Sequence, residues 1–243
     1  MCEHYSMLGQ QQPGGFEQYV AAPARNLLDI GDMSFEEGAL IEPMAVAAHA
    51  VMGIKPELGD SAAVFGLGTV GDLVVRLLMA AGVTNIIGID IDDKKLAKGL
   101  EEGCTHVINS MNESLEDKIQ EYTEGLGVDI AMECAGSKIT EEQTLLVTKR
   151  EGKVGFVGIA YADVMLHQKA FENIFRHEIT LKGFWNSYSA PFPGREWTNS
   201  IDLVNSGHLK IKDLITHRYE MKDMQEAFNM ITTRSESFNK VMY

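Results

Sequence analysis

The run Ser61-Ala-Ala-Val-Phe-Gly-Leu-Gly-Thr-Val-Gly71, with Asp90 beyond it, constrains this chain more than any other feature. An apolar stretch that breaks into Gly66-x-Gly68-x-x-Gly71 and continues at helical spacing predicts a strand, a tight turn and a helix. Each glycine has its own duty. Gly66 makes the turn, Gly68 lets the backbone approach a pyrophosphate, and Gly71 lets the helix lie close on the strand. The helix start at Thr69 and Val70 offers free N–H groups and the positive end of a helix dipole to that pyrophosphate. A second apolar run, Asn85–Asp90, ends in a carboxylate 19 residues past Gly71. That is close to the spacing of an acid that hydrogen-bonds the hydroxyls of an adenosine ribose. Strand, glycine triplet, helix, strand and acid in this order predict a dinucleotide-binding unit. A carboxylate at 90 repels a 2′-phosphate, which favours NAD over NADP; Lys94 and Lys95 flank the adenosine and soften that preference. The competing reading makes Asp90 the N-cap of a helix that starts near Asp92.

The chain has 243 residues, enough for one large domain or two small ones, and 45% of them are hydrophobic. Its 35 acidic and 21 basic residues leave a net charge of −14, which repels a polyanion and argues against nucleic acid as a partner. Cys2, Cys104 and Cys134 give no disulfide framework. No stretch approaches the roughly 18 consecutive apolar residues of a membrane span, and no leader-like N-terminus is visible. No membrane partner and a cytoplasmic location are therefore the expectation.

From Ser61 to about Phe184 strand and helix signals alternate. The predicted strands are 62–65, 85–89, 106–108, 128–133, 153–157 and 179–183; the predicted helices are 70–81, 94–102, 115–124, 139–149 and 169–176. This is the pattern of an α/β, doubly wound parallel sheet of Rossmann type. Leu73, Val74, Leu77 and Leu78 should face the sheet. The flanks differ. Before the sheet we expect a short strand at 16–20 and a helix at 40–53 entered through Glu42-Pro43. After it come an aromatic loop from Phe184 to Pro193, helices near 196–205 and 224–232, and strands near 214–219 and 240–243. Neither flank is large enough for its own core, so the two should pack together.

Several segments carry a family resemblance. Gly14-Gly15-Phe16-x-x-Tyr19-Val20, Glu42-Pro43, Gly66-Leu-Gly-Thr-Val-Gly71, Glu133-Cys-Ala-Gly136, Gly155-Phe-Val-Gly158 and Leu214-Ile-Thr-His217 together resemble the zinc-dependent medium-chain dehydrogenases. The segment Trp185-Asn-Ser-Tyr-Ser-Ala-Pro-Phe-Pro-Gly194-x-Glu196-Trp197 is similar to the branch acting on galactitol 1-phosphate. The resemblance implies an NAD-binding domain at 51–184. It also implies an incomplete GroES-like catalytic domain formed by residues 1–50 and 185–243. The expected activity is oxidation of a secondary alcohol of a polyol or polyol phosphate, with hydride passing to NAD. Residues implied in the nicotinamide pocket are Cys134, Ala135, Val157, Gly158, Phe184 and Trp185, with Lys95 at the adenosine side and Lys240 near the pyrophosphate. Arg195 and Arg218 are candidates for a sugar phosphate.

Family members are longer at the N-terminus, and most of their zinc ligands lie there. Glu42 matches one catalytic-zinc ligand and Cys2 the fourth structural-zinc ligand; the others have no counterpart here. His49 stands two helical turns past Glu42, roughly 10 Å away, too far to share an ion easily. His4 is no better a substitute. The expectation is therefore an N-terminally shortened chain that does not retain zinc and is weakly active at most. The alternative reading is an NAD-binding module without catalysis. The apolar strand near 179–183 would make an exposed sheet edge, which predicts a homodimer or homotetramer.

Overall fold

A computed structural model of the chain describes residues 6–187 and 191–243. Six segments form one parallel sheet: β1 (Ser61–Phe65), β2 (Asn85–Asp90), β3 (His106–Asn109), β4 (Val128–Glu133), β5 (Thr148–Phe156) and β6 (Thr180–Gly183). Their order in space is β3-β2-β1-β4-β5-β6. Within β1, Ala62 and Val64 belong to the core on one face, and Ala63 and Phe65 to the core on the other. A strand buried on both sides needs a continuous apolar run, which is why β1 and β2 lack polar alternation, whereas the edge strand β6 is exposed throughout.

Flanking the sheet are α3 (Thr69–Ala80), α4 (Asp93–Glu102), α5 (Leu115–Tyr122), α6 (Lys138–Val147) and α7 (Gln168–Arg176). Leu73, Val74, Leu77 and Leu78 of α3 are buried in the same core as Val64, as their spacing predicts. Leu115, Ile119 and Leu145 close the opposite face. The strand order reverses between β1 and β4, so a crevice opens at their carboxyl ends, where doubly wound sheets take ligands.

Two flanking units complete the described chain. Before the sheet lie α1 (Phe35–Gly38) and α2 (Ile41–Ile54); after it lie α8 (Arg195–Asn205), β7 (Ile215–Arg218), α9 (Met224–Thr233) and β8 (Lys240–Met242). β7 and β8 pair in parallel as a separate two-stranded sheet. The apolar face of α2, including Met44, Ala47, Ala48 and Val51, packs between α3 and α8. No helix among the described residues is long and apolar enough to cross a membrane.

The structure departs from expectation at four places. Residues 16–20 are not a strand: a strand needs a partner, and the nearest bridge among the described residues joins Leu8 and Gln12. Phe16 instead packs edge-on against Tyr243, with ring centroids 5.0 Å apart. Helix α1 was not expected, although Ser34 and Glu37 form a capping box whose Ser-x-x-Glu signature is legible. Helix α6 stops at Val147 rather than Lys149, because Thr148 turns extended and donates its hydroxyl to the Thr144 carbonyl (2.6 Å). β5 correspondingly begins at Thr148, five residues earlier than its apolar run.

Candidate dinucleotide-binding site

At the end of β1, Gly66 takes a φ of +87°, a left-handed value that a side chain would strain. A Cβ there would also stand 2.8 Å from the Ala135 backbone. Gly68 is the N-cap residue of α3 in an extended conformation, and a Cβ on it would meet nothing within 4 Å. A Cβ on Gly71 would overlap the carbonyl oxygen of Gly66. The three glycines thus have three different environments: a strained turn, an open space and a tight contact. The first helical bond runs from the Asp72 N–H to the Gly68 carbonyl (2.9 Å), leaving the N–H groups of Thr69, Val70 and Gly71 ahead of it. Open space over a helix N-terminus is where a pyrophosphate fits.

Asp90 closes the adenosine side. Its Oδ2 accepts from the Leu67 N–H (2.7 Å), and its Oδ1 from the Ile91 (2.7 Å) and Asp92 (3.0 Å) N–H groups. The carboxylate therefore ties the end of β2 to the glycine turn and keeps lone-pair capacity for hydroxyl donors. The N-cap of α4 is Asp92, which accepts from the Lys94 N–H (2.9 Å), so the capping reading of Asp90 is replaced. Burial works to raise the Asp92 carboxyl. Bonds from Ser237 and from the Lys94 and Lys95 N–H groups outweigh it and hold the group below the usual range. Lys95 is half-buried in the first turn of α4.

At the other end of the crevice, Glu133 organises two turns. It is fully buried at the close of β4. Its carboxylate accepts from the Ala135 and Gly136 N–H groups (3.0 Å each) and from the Thr140 hydroxyl (2.6 Å). Its backbone carbonyl accepts from Val157 (2.8 Å) and Gly158 (3.0 Å). Burial pushes the Glu133 carboxyl up, and the bonds from Thr140, Gly136 and Ala135 oppose the shift. The sequence marks Cys134, Ala135, Val157 and Gly158 but not this role; the signal was a carboxylate closing the apolar end of a strand.

The Cys134 N–H donates to the Phe65 carbonyl (2.8 Å), which joins β4 to β1. Burial raises the Cys134 thiol, so it is not a thiolate at neutral pH. Cys104, buried behind the sheet, is pushed up to about 12. The Phe184 N–H donates to the Phe156 carbonyl (2.8 Å), and its ring meets His49 edge-on at 5.9 Å. Trp185 keeps 38% of its surface exposed. Residues 188–190 of the aromatic loop lie outside the described residues.

Glu42 sits in the first turn of α2 and reaches solvent. Its surroundings still strip enough water to push the carboxyl up, against the charge of Lys240. Lys240, the first residue of β8, thereby lies within electrostatic reach of Glu42. Among the described residues, no group of three or more His, Cys, Asp or Glu side chains stands together to hold a metal ion. The donor set around Glu42 does not fit a zinc centre, and Cys2 and His4 lie outside the described residues. Arg218 is engaged by Glu36, which also pairs with Lys212 at 3.0 Å, so it is not free for a sugar phosphate. Arg195 opens α8 as an exposed side chain, and no ion pair holds it among the described residues.

Sheet order and glycine turn define a nucleotide-binding fold of Rossmann type. The chain belongs to the zinc-binding dehydrogenase family, whose defining region matches residues 69–206. It is 30% identical over 227 residues to galactitol 1-phosphate 5-dehydrogenase of Escherichia coli strain K12, covering 93% of this chain and 66% of that enzyme. The chain therefore spans about two thirds of that relative's length. The crystal structure of galactitol-1-phosphate dehydrogenase from Escherichia coli superposes with a TM-score of 0.92 at 29% identity, covering 99% of this chain and 69% of that one. A Sinorhizobium meliloti protein described as a zinc-binding dehydrogenase, solved bound to NADP, superposes with a TM-score of 0.86 at 25% identity, covering 99% and 69%.

Proposed function

We propose that this polypeptide is the NAD-binding part of a dehydrogenase that oxidises a secondary alcohol of a polyol or polyol phosphate, of the galactitol 1-phosphate kind. One observation carries the reading: the open space over Gly68 at the start of α3, flanked by the Asp90 carboxylate. A pyrophosphate set there receives the Thr69–Gly71 N–H groups and the helix dipole. Asp90 then faces an adenosine ribose. Its negative charge favours the free 2′-hydroxyl of NAD over the 2′-phosphate of NADP. The nicotinamide end falls beside the turns that Glu133 holds, with Phe184 and Trp185 as the outer wall. NAD supplies the hydride acceptor; these residues bind and orient it and exclude water from its ring. The galactitol 1-phosphate relative supports the substrate class, and the aromatic loop from Trp185 to Trp197 is the segment that carries it.

A second reading is favoured by the Glu42 environment. Without further metal donors among the described residues, the chain by itself would be an NAD-binding module without catalysis. The two readings separate in one experiment: NADH formation from NAD and galactitol 1-phosphate, with and without added zinc, alongside NAD binding. Binding without turnover is expected of this polypeptide alone. Zinc-dependent turnover would assign it catalysis and overturn the module reading; absence of NAD binding would overturn both. We further propose self-association through the outer edge of β6, whose four residues are all exposed.

A further inference from the structure

We propose that the C-terminal segment Ser237–Lys240 is a strap that positions both halves of the dinucleotide site, Asn239 acting on the pyrophosphate end and Ser237 on the adenosine end. This deepens the NAD-binding reading and rests on it. The segment is far in sequence from the crevice, yet it bonds the two elements that flank it. Asn239 Oδ1 accepts from the Thr69 hydroxyl (2.9 Å), and Asn239 Nδ2 donates to Asp72 Oδ2 (2.5 Å). Thr69 and Asp72 are the first and fourth residues of α3, the helix whose N-terminus would take the pyrophosphate. The amide is oriented by its partners: a flipped Asn239 would set its carbonyl against the Asp72 carboxylate. Its own N–H donates to Thr216 Oγ1 (3.0 Å), anchoring it to β7.

Two residues earlier, the Ser237 hydroxyl donates to Asp92 Oδ2 (2.5 Å). Asp92 caps α4 and donates its N–H to Asp90 Oδ1 (3.0 Å), so Ser237 acts on the ribose acid through a single intermediate residue. Asn239 bonds the Thr69 side chain and Ser237 the Asp92 side chain, and neither hydrogen-bonds Asp90; they are positioning residues. What they set is the distance between the helix start and the acid. Ser237, Asn239, Thr69 and Asp92 are all half-buried at this seam. Lys240 follows immediately and begins β8, so the strap continues directly into the two-stranded sheet.

The test uses the full chain and NADH fluorescence, with ADP-ribose and adenosine as displacing probes. Asn239→Ala should weaken ADP-ribose about tenfold and leave adenosine within about twofold, the size expected for two lost polar contacts behind one subsite. Ser237→Ala should weaken both probes alike, by about fivefold. At pH 8, where Asp72 is ionised, Asn239→Asp faces it with a second carboxylate and should weaken ADP-ribose more than Asn239→Ala does. Thermal melting of each variant establishes that it is folded. Equal losses for both probes in Asn239→Ala, or unchanged binding in both Asn239→Ala and Ser237→Ala, would overturn the strap while leaving the NAD reading intact. A folded wild-type chain that binds no NADH overturns the NAD reading and the strap with it.

Discussion

Gly68→Ala separates folding from binding at one atom. Gly68 has φ −81° and ψ −172°, extended backbone that alanine adopts without strain, and its new Cβ meets nothing within 4 Å. Alanine restricts the unfolded chain, worth about 0.4–1 kcal/mol in favour of folding, and caps a helix less well than glycine by roughly 0.5–1 kcal/mol. The net is within about 1 kcal/mol, or about 4 °C in melting temperature for a chain of this size. The same methyl group fills the space assigned to the pyrophosphate. Losing one charge-assisted N–H contact there costs about 1.5–3 kcal/mol, which is roughly 10- to 150-fold in affinity. Calorimetric titration of NAD, read beside thermal melting, measures both quantities. Gly71→Ala is the contrasting control: its Cβ overlaps the Gly66 carbonyl, so stability itself falls by about 1–3 kcal/mol. A stable Gly68→Ala variant that binds NAD as the wild type does would refute the placement of the pyrophosphate.

Three further outcomes follow from the site and its surroundings. Asp90→Asn keeps an acceptor for the Leu67 N–H and removes the charge, so competitive titration should show the NAD-over-NADP preference shrink by about tenfold. Burial, and then the neighbouring Glu102 carboxylate, raise Asp72 from an ordinary 3.8 to about 7. Between those values the folded chain holds a proton that the unfolded chain has lost, so this group's contribution makes stability fall as pH rises to about 7 and stay level above it. Asp72→Asn should remove that slope in melting curves taken across pH and gain on the wild type most at pH 8. Leu181, 40% exposed in the middle of β6, is the residue for the assembly claim: Leu181→Lys should convert a dimer to a monomer in sedimentation equilibrium, and an unchanged mass would reject the β6 edge.

The parts of this fold legible in sequence are those whose physics is local. The glycine triplet, the apolar runs buried on both faces and the Asp90 spacing each depend on a few neighbouring residues. Strands β1 to β4 accordingly fall near their expected places, while β5 starts five residues before its apolar run. Residues 16–20 misled because a short stretch set off by Gly14-Gly15 and Pro23 becomes a strand only when another strand stands beside it; Phe16 found the rings of Tyr243 and Phe228 instead. Glu133 was overlooked because its value lies in which N–H groups converge on it, and those come from two turns over twenty residues apart. Arg218 looked free in sequence, and Glu36, on a helix nearly two hundred residues earlier, takes its charge. The Asn239 and Ser237 contacts are long-range in the same way: no periodicity announces them, and they exist only because the segment before β8 lies against the starts of α3 and α4.

The crevice over Gly68 and Asp90 is proposed to bind NAD. Its most direct test is a calorimetric titration of the purified, folded chain with NAD and, separately, with NADP. Saturable binding of about one NAD per chain is expected, with NADP at least about tenfold weaker, the effect of setting a 2′-phosphate against the Asp90 carboxylate. A folded chain that takes up no NAD, or that binds NADP as tightly, would contradict it.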